Sequence, residues 1–384
     1  MSVKYFRAKP YIPDSDKDWI LEKYREILDT RGLIQGKYVS QFEEEVKKYV
    51  GTKHAIAVSS CGVGLEITLR ATGITGRKFI VPTQTYPASV SCIIRSGNIP
   101  IVADVDERTQ CLSLDIIKQN MSDDVCGVVH VHMAGLITPE MSDIKEYCED
   151  NGLFLLTDDA HSFGAQLYDI NKDHKMSAGD IGNAGVFSFY PSKIITTGEG
   201  GMITTNDDEL ADRLRILRSH GVVGNDVEVD GLDYGVRCEI PSSNYRMAEF
   251  NAVLGLSQIK HIDEWIKRRN EISELYKKNL EDVEWLELPL YDELIRQTWW
   301  QYIVKLDGKI DRTEFLKKLL DKGVQTGNAY WPSCNQQEVF KSYVSEFGCP
   351  IADEFLERHF SLPMYIELSD DDVVEICNIV KSCK

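Results

Sequence analysis

The sequence predicts an α/β protein whose mainly parallel sheet is covered by helices on both faces, followed by a smaller C-terminal α/β unit. Two observations predict this. Short apolar runs alternate with longer amphipathic stretches along most of the 384 residues. A long helical pattern then separates that rhythm from a shorter strand-and-helix tail. A chain of this length can bury one large core and a second, smaller one.

The first fifty residues end in a helix, "YVSQFEEEVKKYVG". The runs "HAIAVSS", "FIVPTQT", "IPIVADVD", "CGVVHVH", "GLFLLTDD" and "AGVFSFY" read as buried strands that end in polar residues. Helices lie between them, as in "VGLEITLRATG" and in "PEMSDIKEYCEDNG", which closes on an Asn-Gly stop. The charged stretch "YDINKDHKMSAGD", residues 168–180, reads as an enlarged surface loop. A single helical pattern runs from Arg246 to Leu280 and is long enough to link two domains. Beyond it, "WWQYIVKLDG", "RTEFLKKLLDKG" and "SDDDVVEICNIVKSC" form the smaller unit. The expected division is residues 1–250 for the N-terminal segment and large domain, and 251–384 for the linking helix and small domain.

Charge and composition exclude several classes of function. The net charge of -18 argues against nucleic acid and anionic membrane as partners. The N-terminal stretch lacks an apolar signal core, and no run approaches the roughly 20 apolar residues of a membrane span. A cytoplasmic enzyme is the expectation. The ten cysteines are scattered without a CxxC pair, as suits reduced and mostly buried thiols. His130 and His132 share one strand face but have no carboxylate or cysteine at ligand spacing, so no metal site is expected. Neither GxGxxG nor GxxxxGK[ST] occurs, which removes the nicotinamide-binding and P-loop readings.

The chemistry centres on "FSFYPSKIITTGEGG". Lys193 follows an aromatic run at a strand end, where desolvation makes an amine reactive toward a carbonyl. A carbonyl cofactor that carries a phosphate also needs hydroxyl and backbone N–H donors. Ser188 and the turn "SSCGVG", which opens a helix, supply them. Pyridoxal 5'-phosphate (PLP) fits that demand, and its ring nitrogen needs a carboxylate at a strand end. "LFLLTDDAHSFGA" offers one, in Asp158 or Asp159.

At this point the sequence resembles the DegT/DnrJ/EryC1/StrS family of PLP-dependent aminotransferases. Four blocks match in order: "IVPTQTYPASVSCIIRSGNIPIVADVD", "LTDDAHSFGA", "FSFYPSKIITTGEGGMITTNDDELADRLRILRSHG" and "SSNYRMAEFNAVLGLSQI". The resemblance implies the type I aminotransferase fold and activity on keto sugars, most of them nucleotide-linked. It makes Lys193 the lysine that forms the Schiff base. Asp158 becomes the partner of the pyridine nitrogen, with Asp159 its rival. Ala160 and Tyr86 take opposite faces of the ring, and His161 lies near the phenolic oxygen. Ser188 serves the phosphate with the backbone of Gly62 and Val63. Asn244, a reasonable helix N-cap in its own right, reaches into the site of a neighbouring subunit, which implies at least a homodimer.

Two departures stand out. Cys61 and Gly62 occupy positions where the family has Gly-Thr, which removes one hydroxyl from the phosphate turn. Near "NAYWPS" the family often has a histidine before an aromatic-proline pair, whereas this chain has Ala329 or Tyr330 before Trp331 and Pro332. Tyr330 and Trp331 are therefore candidates for the substrate pocket. The resemblance implies two half-reactions. An amino donor, L-glutamate in relatives, leaves pyridoxamine 5'-phosphate, which then aminates a keto sugar for a surface polysaccharide, glycan or secondary metabolite. The alternatives are amination of a cyclitol or other non-nucleotide ketone, and a PLP-binding sensor without turnover.

Overall fold

In the computed structural model, residues 3–229 and 232–384 are described. Seven strands form the main sheet, in the order His54–Val58, Gly201–Thr205, Ala184–Ser188, Phe154–Asp158, Val125–Val131, Lys78–Pro82, Ile99–Ala103. The Gly201–Thr205 strand runs antiparallel to both neighbours, and the remaining pairs are parallel. All six strands read from the sequence are in this sheet.

Alternation along each strand divides the sheet into two buried faces. Ala55, Ala57, Val128, Leu155, Phe187 and Met202 belong to one core, under the helices Lys37–Val50, Met141–Asp150 and Glu249–Ile259. Ile56, Val58, Val129, Leu156, Val186 and Ile203 belong to the other, under Cys61–Ala71, Pro87–Arg95 and Asp208–Arg218. With both faces covered, ligand access is confined to the strand ends.

The C-terminal unit has its own core. A three-stranded antiparallel sheet, Leu286–Glu287, Tyr302–Leu306 and His359–Leu362, packs with the helices Ile262–Leu280, Arg312–Asp321 and Asp370–Lys381. The last helix starts on a capping box between Ser369 and Asp372, as its "SDDD" start permits. Residues 4–7 are bound to this unit by backbone bonds to Gly323 and from Gln325 and Met364.

Two sequence expectations are corrected. The pattern from Arg246 to Leu280 is two helices, Glu249–Ile259 and Ile262–Leu280, broken around Lys260 and His261. Continuous apolar periodicity hid the break because its two ends join different cores. Val253 and Leu256 pack on the main sheet, while Ile272, Tyr276 and Leu280 pack in the C-terminal core. The 168–180 stretch is not an open loop. Gln166–Asp169 and His174–Ser177 form a hairpin, whose first strand also pairs with Ile295–Arg296. Buried Leu167 and Met176 anchor it, and the charged residues at its tip masked that pattern.

Candidate active site

The carboxyl ends of His54–Val58, Lys78–Pro82, Phe154–Asp158 and Ala184–Ser188 open onto a cleft of about 610 Å³. Trp300, Gln301, Asn328 and Tyr330 close it from the C-terminal unit. Of the residues singled out from the sequence, Cys61, Gly62, Tyr86, Asp158, Ala160, His161, Ser188, Lys193 and Tyr330 line it. Val63, Asn244 and Trp331 do not. The Val63 N–H is 3.4 Å from Ser60 Oγ, the N-cap of the helix Cys61–Ala71. Asn244 is exposed, and its Oδ1 accepts from the Arg246 N–H at 3.2 Å. Trp331 is 56% exposed, with the Arg312 guanidinium 6.0 Å from its ring.

The two adjacent aspartates have different surroundings. Asp158 ends its strand and faces the cleft, with Oδ2 accepting from Ser89 Oγ at 2.6 Å and Oδ1 from the Ala160 N–H at 3.1 Å. Asp159 points into the protein, accepting from Thr157 Oγ1 at 2.6 Å and Ser162 Oγ at 2.8 Å. Only Asp158 can meet a ligand. Burial raises its pKa; the Ser89 hydroxyl, the Ala160 N–H and the Lys193 charge oppose that rise.

Lys193 lies five residues past its strand, its N–H bonded to the Tyr190 carbonyl at 2.9 Å. Burial pulls its pKa down to about 8, against the opposing pull of Cys61 and Asp158. About half of such amines are neutral at pH 8. Its Nζ sits 4.1 Å from the centroid of the Trp300 ring. That same indole stacks on His161, with centroids 3.8 Å apart and planes within 7°. His161 Nε2 is 2.8 Å from the Tyr330 hydroxyl, and its buried Nδ1 has no partner. Burial, helped by the Lys193 charge, holds this imidazole well below the usual histidine range, so it is neutral. The Tyr330 hydroxyl and Nε2 share one hydrogen bond, in which either atom can be the donor.

The glycines after Lys193 have a steric reason. A β-carbon on Gly201 would come within 2.6 Å of the Ser60 carbonyl carbon and 2.7 Å of the Cys61 nitrogen. The chain therefore passes directly against the start of the helix Cys61–Ala71. Cys61 is buried there with a thiol pushed well above its usual pKa, by burial first and by Asp158 second. It is a protonated donor, 3.6 Å from the Val186 carbonyl and 3.9 Å from Asp158 Oδ1.

The profile of the DegT/DnrJ/EryC1/StrS aminotransferase family matches residues 14–381. The chain belongs to this family. SpsC of Bacillus subtilis (strain 168), a spore coat polysaccharide biosynthesis protein, is 34% identical over 378 residues, covering 94% of this chain and 93% of its own. The GDP-perosamine synthase of Escherichia coli O157:H7 is 30% identical over 382 residues, covering 98% of each chain. DesI, solved in the presence of its TDP-sugar product, superposes with a TM-score of 0.86 at 26% identity, over 100% of this chain and 93% of its own.

Within this member of the DegT/DnrJ/EryC1/StrS family, the sequence pointed neither to Ser89, which supports Asp158 from behind the cleft wall, nor to the lining residues Trp300 and Arg7. Ser89 was visible only as a residue three past Tyr86, one helical turn into "YPASVS". Trp300 stood in an apolar run that signalled nothing beyond core. Arg7 belongs to a segment with no periodicity at all, and its place at the cleft depends on pairing with residues more than 300 positions away.

Proposed function

We propose that this protein transfers an amino group from L-glutamate to a nucleotide-linked keto sugar, using PLP held in the cleft with Lys193 as its covalent anchor. The observation that carries this reading is the pairing of an amine near neutrality, Lys193, with a buried carboxylate, Asp158, in one cleft. Two further features fit the cofactor. The N-terminus of the helix Cys61–Ala71 and the Ser188 hydroxyl offer donors for a phosphate. The unpartnered Nδ1 of His161 offers one more polar contact, a donor to a phenolic oxygen in the tautomer that carries its proton there.

When bound, PLP supplies a carbonyl and a ring that accepts electrons. Asp158 holds the proton on the ring nitrogen, and Ser89 and the Ala160 N–H fix the carboxylate for that task. With the cofactor bound, Lys193 Nζ would be the base that moves a proton at the reacting carbon of the donor. Trp300 beneath Nζ limits where that amine can move. Tyr86, 60% exposed at the mouth, has the free face needed to cover a bound ring. Asn244 lies at the surface and outside its own cleft, which suits a residue that completes the site of a second subunit in a homodimer.

The sugar assignment rests on the relatives, whose names include a GDP-perosamine synthase and an enzyme solved with a TDP-sugar. To test it, enzyme converted to the pyridoxamine form is mixed with a panel of GDP-, TDP- and UDP-linked keto sugars. Return of the lysine-linked absorbance band with at least one of them is the expected result. A response only to a cyclitol ketone, or none after L-glutamate has failed to bleach the band, would overturn the reading.

A further inference from the structure

Both substrates in the proposed reaction are anions, and this chain carries a net charge of -18. A cleft in such a protein needs a fixed cation to hold them. Among the residues that line the cleft, only Lys193 and Arg7 are basic, and Lys193 is held down to about 8. Arg7 is thus the one guanidinium among the lining residues.

Arg7 is held by its backbone, not by its charge. Its N–H donates to Gln325 Oε1 at 3.2 Å, and its carbonyl accepts from the Met364 N–H at 3.2 Å. The neighbouring residue Tyr5 bonds to Gly323 and Gln325 through its main chain. On the same segment, Lys4 pairs with Glu375 at 2.7 Å and Lys9 with Glu367 at 2.8 Å. Arg7 lies between them, and its guanidinium has no carboxylate partner among the described residues. Asn328 lines the same cleft, and because its Oδ1 accepts from Arg312 at 2.6 Å its Nδ2 remains as a donor.

From this arrangement we infer that Arg7, with the Asn328 amide, forms an oxyanion-binding subsite at the cleft mouth, a specificity determinant for the amino-transfer reading on which it rests. The guanidinium fork suits a carboxylate or a phosphate equally, so the bound group is either the donor's carboxylate or the sugar's diphosphate. The test is equilibrium titration of the holoenzyme with 2-oxoglutarate, TDP and GDP, in wild type, Arg7→Ala and Arg7→Lys. Weakening by about tenfold or more in Arg7→Ala, smaller in Arg7→Lys, is expected for one class of probe. Loss confined to 2-oxoglutarate assigns the donor; loss confined to the nucleotides assigns the acceptor. Dissociation constants within about twofold of wild type for every probe would overturn the subsite, as would a loss of PLP itself with the probes unchanged. Because these probes bind without turning over, the result stands apart from bleaching by L-glutamate. Failure of that bleaching counts against the amino-transfer reading alone.

Discussion

Ser89 shows how a single hydroxyl can set the chemistry of a neighbour. It is fully buried, its Oγ lies 2.6 Å from Asp158 Oδ2, and Thr85 Oγ1 is 2.7 Å behind it. Because Ser89 donates to the carboxylate, Thr85 must donate to Ser89, a directed chain that favours ionised Asp158. A hydrogen bond to a buried charge contributes about 1.5–3 kcal/mol. Ser89→Ala is therefore expected to weaken PLP binding to the apoenzyme by about tenfold or more and to lower the pH at which the bound cofactor's spectrum titrates. Ser89→Thr should restore both. An alanine variant with wild-type affinity and titration would show that Asp158 needs no such support. Asp158 itself could be chosen over Asp159 only through the family resemblance. The physical reason, that one faces the cleft and the other Thr157 and Ser162, depends on strand packing that local sequence does not encode.

Among the elements, the start of the helix Lys37–Val50 is capped from a distance. Its N-cap is Gly36, which has no side chain to offer. Glu249, from the first turn of another helix, supplies the acceptors instead. Its Oε1 takes the N–H of Gly36 at 2.8 Å and of Val39 at 3.1 Å, and its Oε2 takes that of Tyr38 at 2.8 Å. A carboxylate is favoured there by the helix dipole as well. The closeness explains the glycine: a β-carbon on Gly36 would lie 3.0 Å from the carboxylate. Glu249→Ala leaves three donors unmet, two of them buried, and should lower unfolding free energy by roughly 2–4 kcal/mol, read as a fall in urea midpoint. Glu249→Gln, which keeps one acceptor, should fall between. A midpoint within about 0.5 kcal/mol of wild type in the alanine variant would contradict the assignment. The helix was legible in "YVSQFEEEVKKYVG"; its cap, more than 200 residues away, was not. The same separation explains the two misread elements, since the break near His261 and the 166–177 hairpin are both decided by which core their apolar residues join.

For the molecule as a whole, buried histidines set the response to acid. Burial holds His130 and His132 at about 3 and His359 at about 4, against 6.5 when free. Each is neutral when folded and protonates once unfolded, so the unfolded chain binds more protons below about 6.5 and stability falls as pH drops toward 4. Asp159 works the other way. Burial raises it to about 6, and it adds stability as pH falls from 6 toward 3.8. Four buried histidines, His161 among them, oppose Asp158 and Asp159, and the net loss between pH 7 and pH 5 should be on the order of a few kcal/mol. Urea melts at the two values check this; an equal or higher midpoint at pH 5 would contradict it. Six of the seven strands and the two covered faces of the sheet were readable because apolar runs are local signals; the order of the strands was not. The cleft's composition was readable in part, where residues sit just past strand ends. Trp300 and Arg7 were not, because each comes from a segment whose place is fixed only by the assembled chain.

Whether Lys193 anchors the cofactor is tested most directly by borohydride reduction of the holoenzyme followed by peptide mass spectrometry. One cofactor mass per chain is expected, on the peptide that carries Lys193, and none in Lys193→Ala. A stable adduct on another lysine, or an unmodified Lys193 in enzyme that still transfers amino groups, would contradict it.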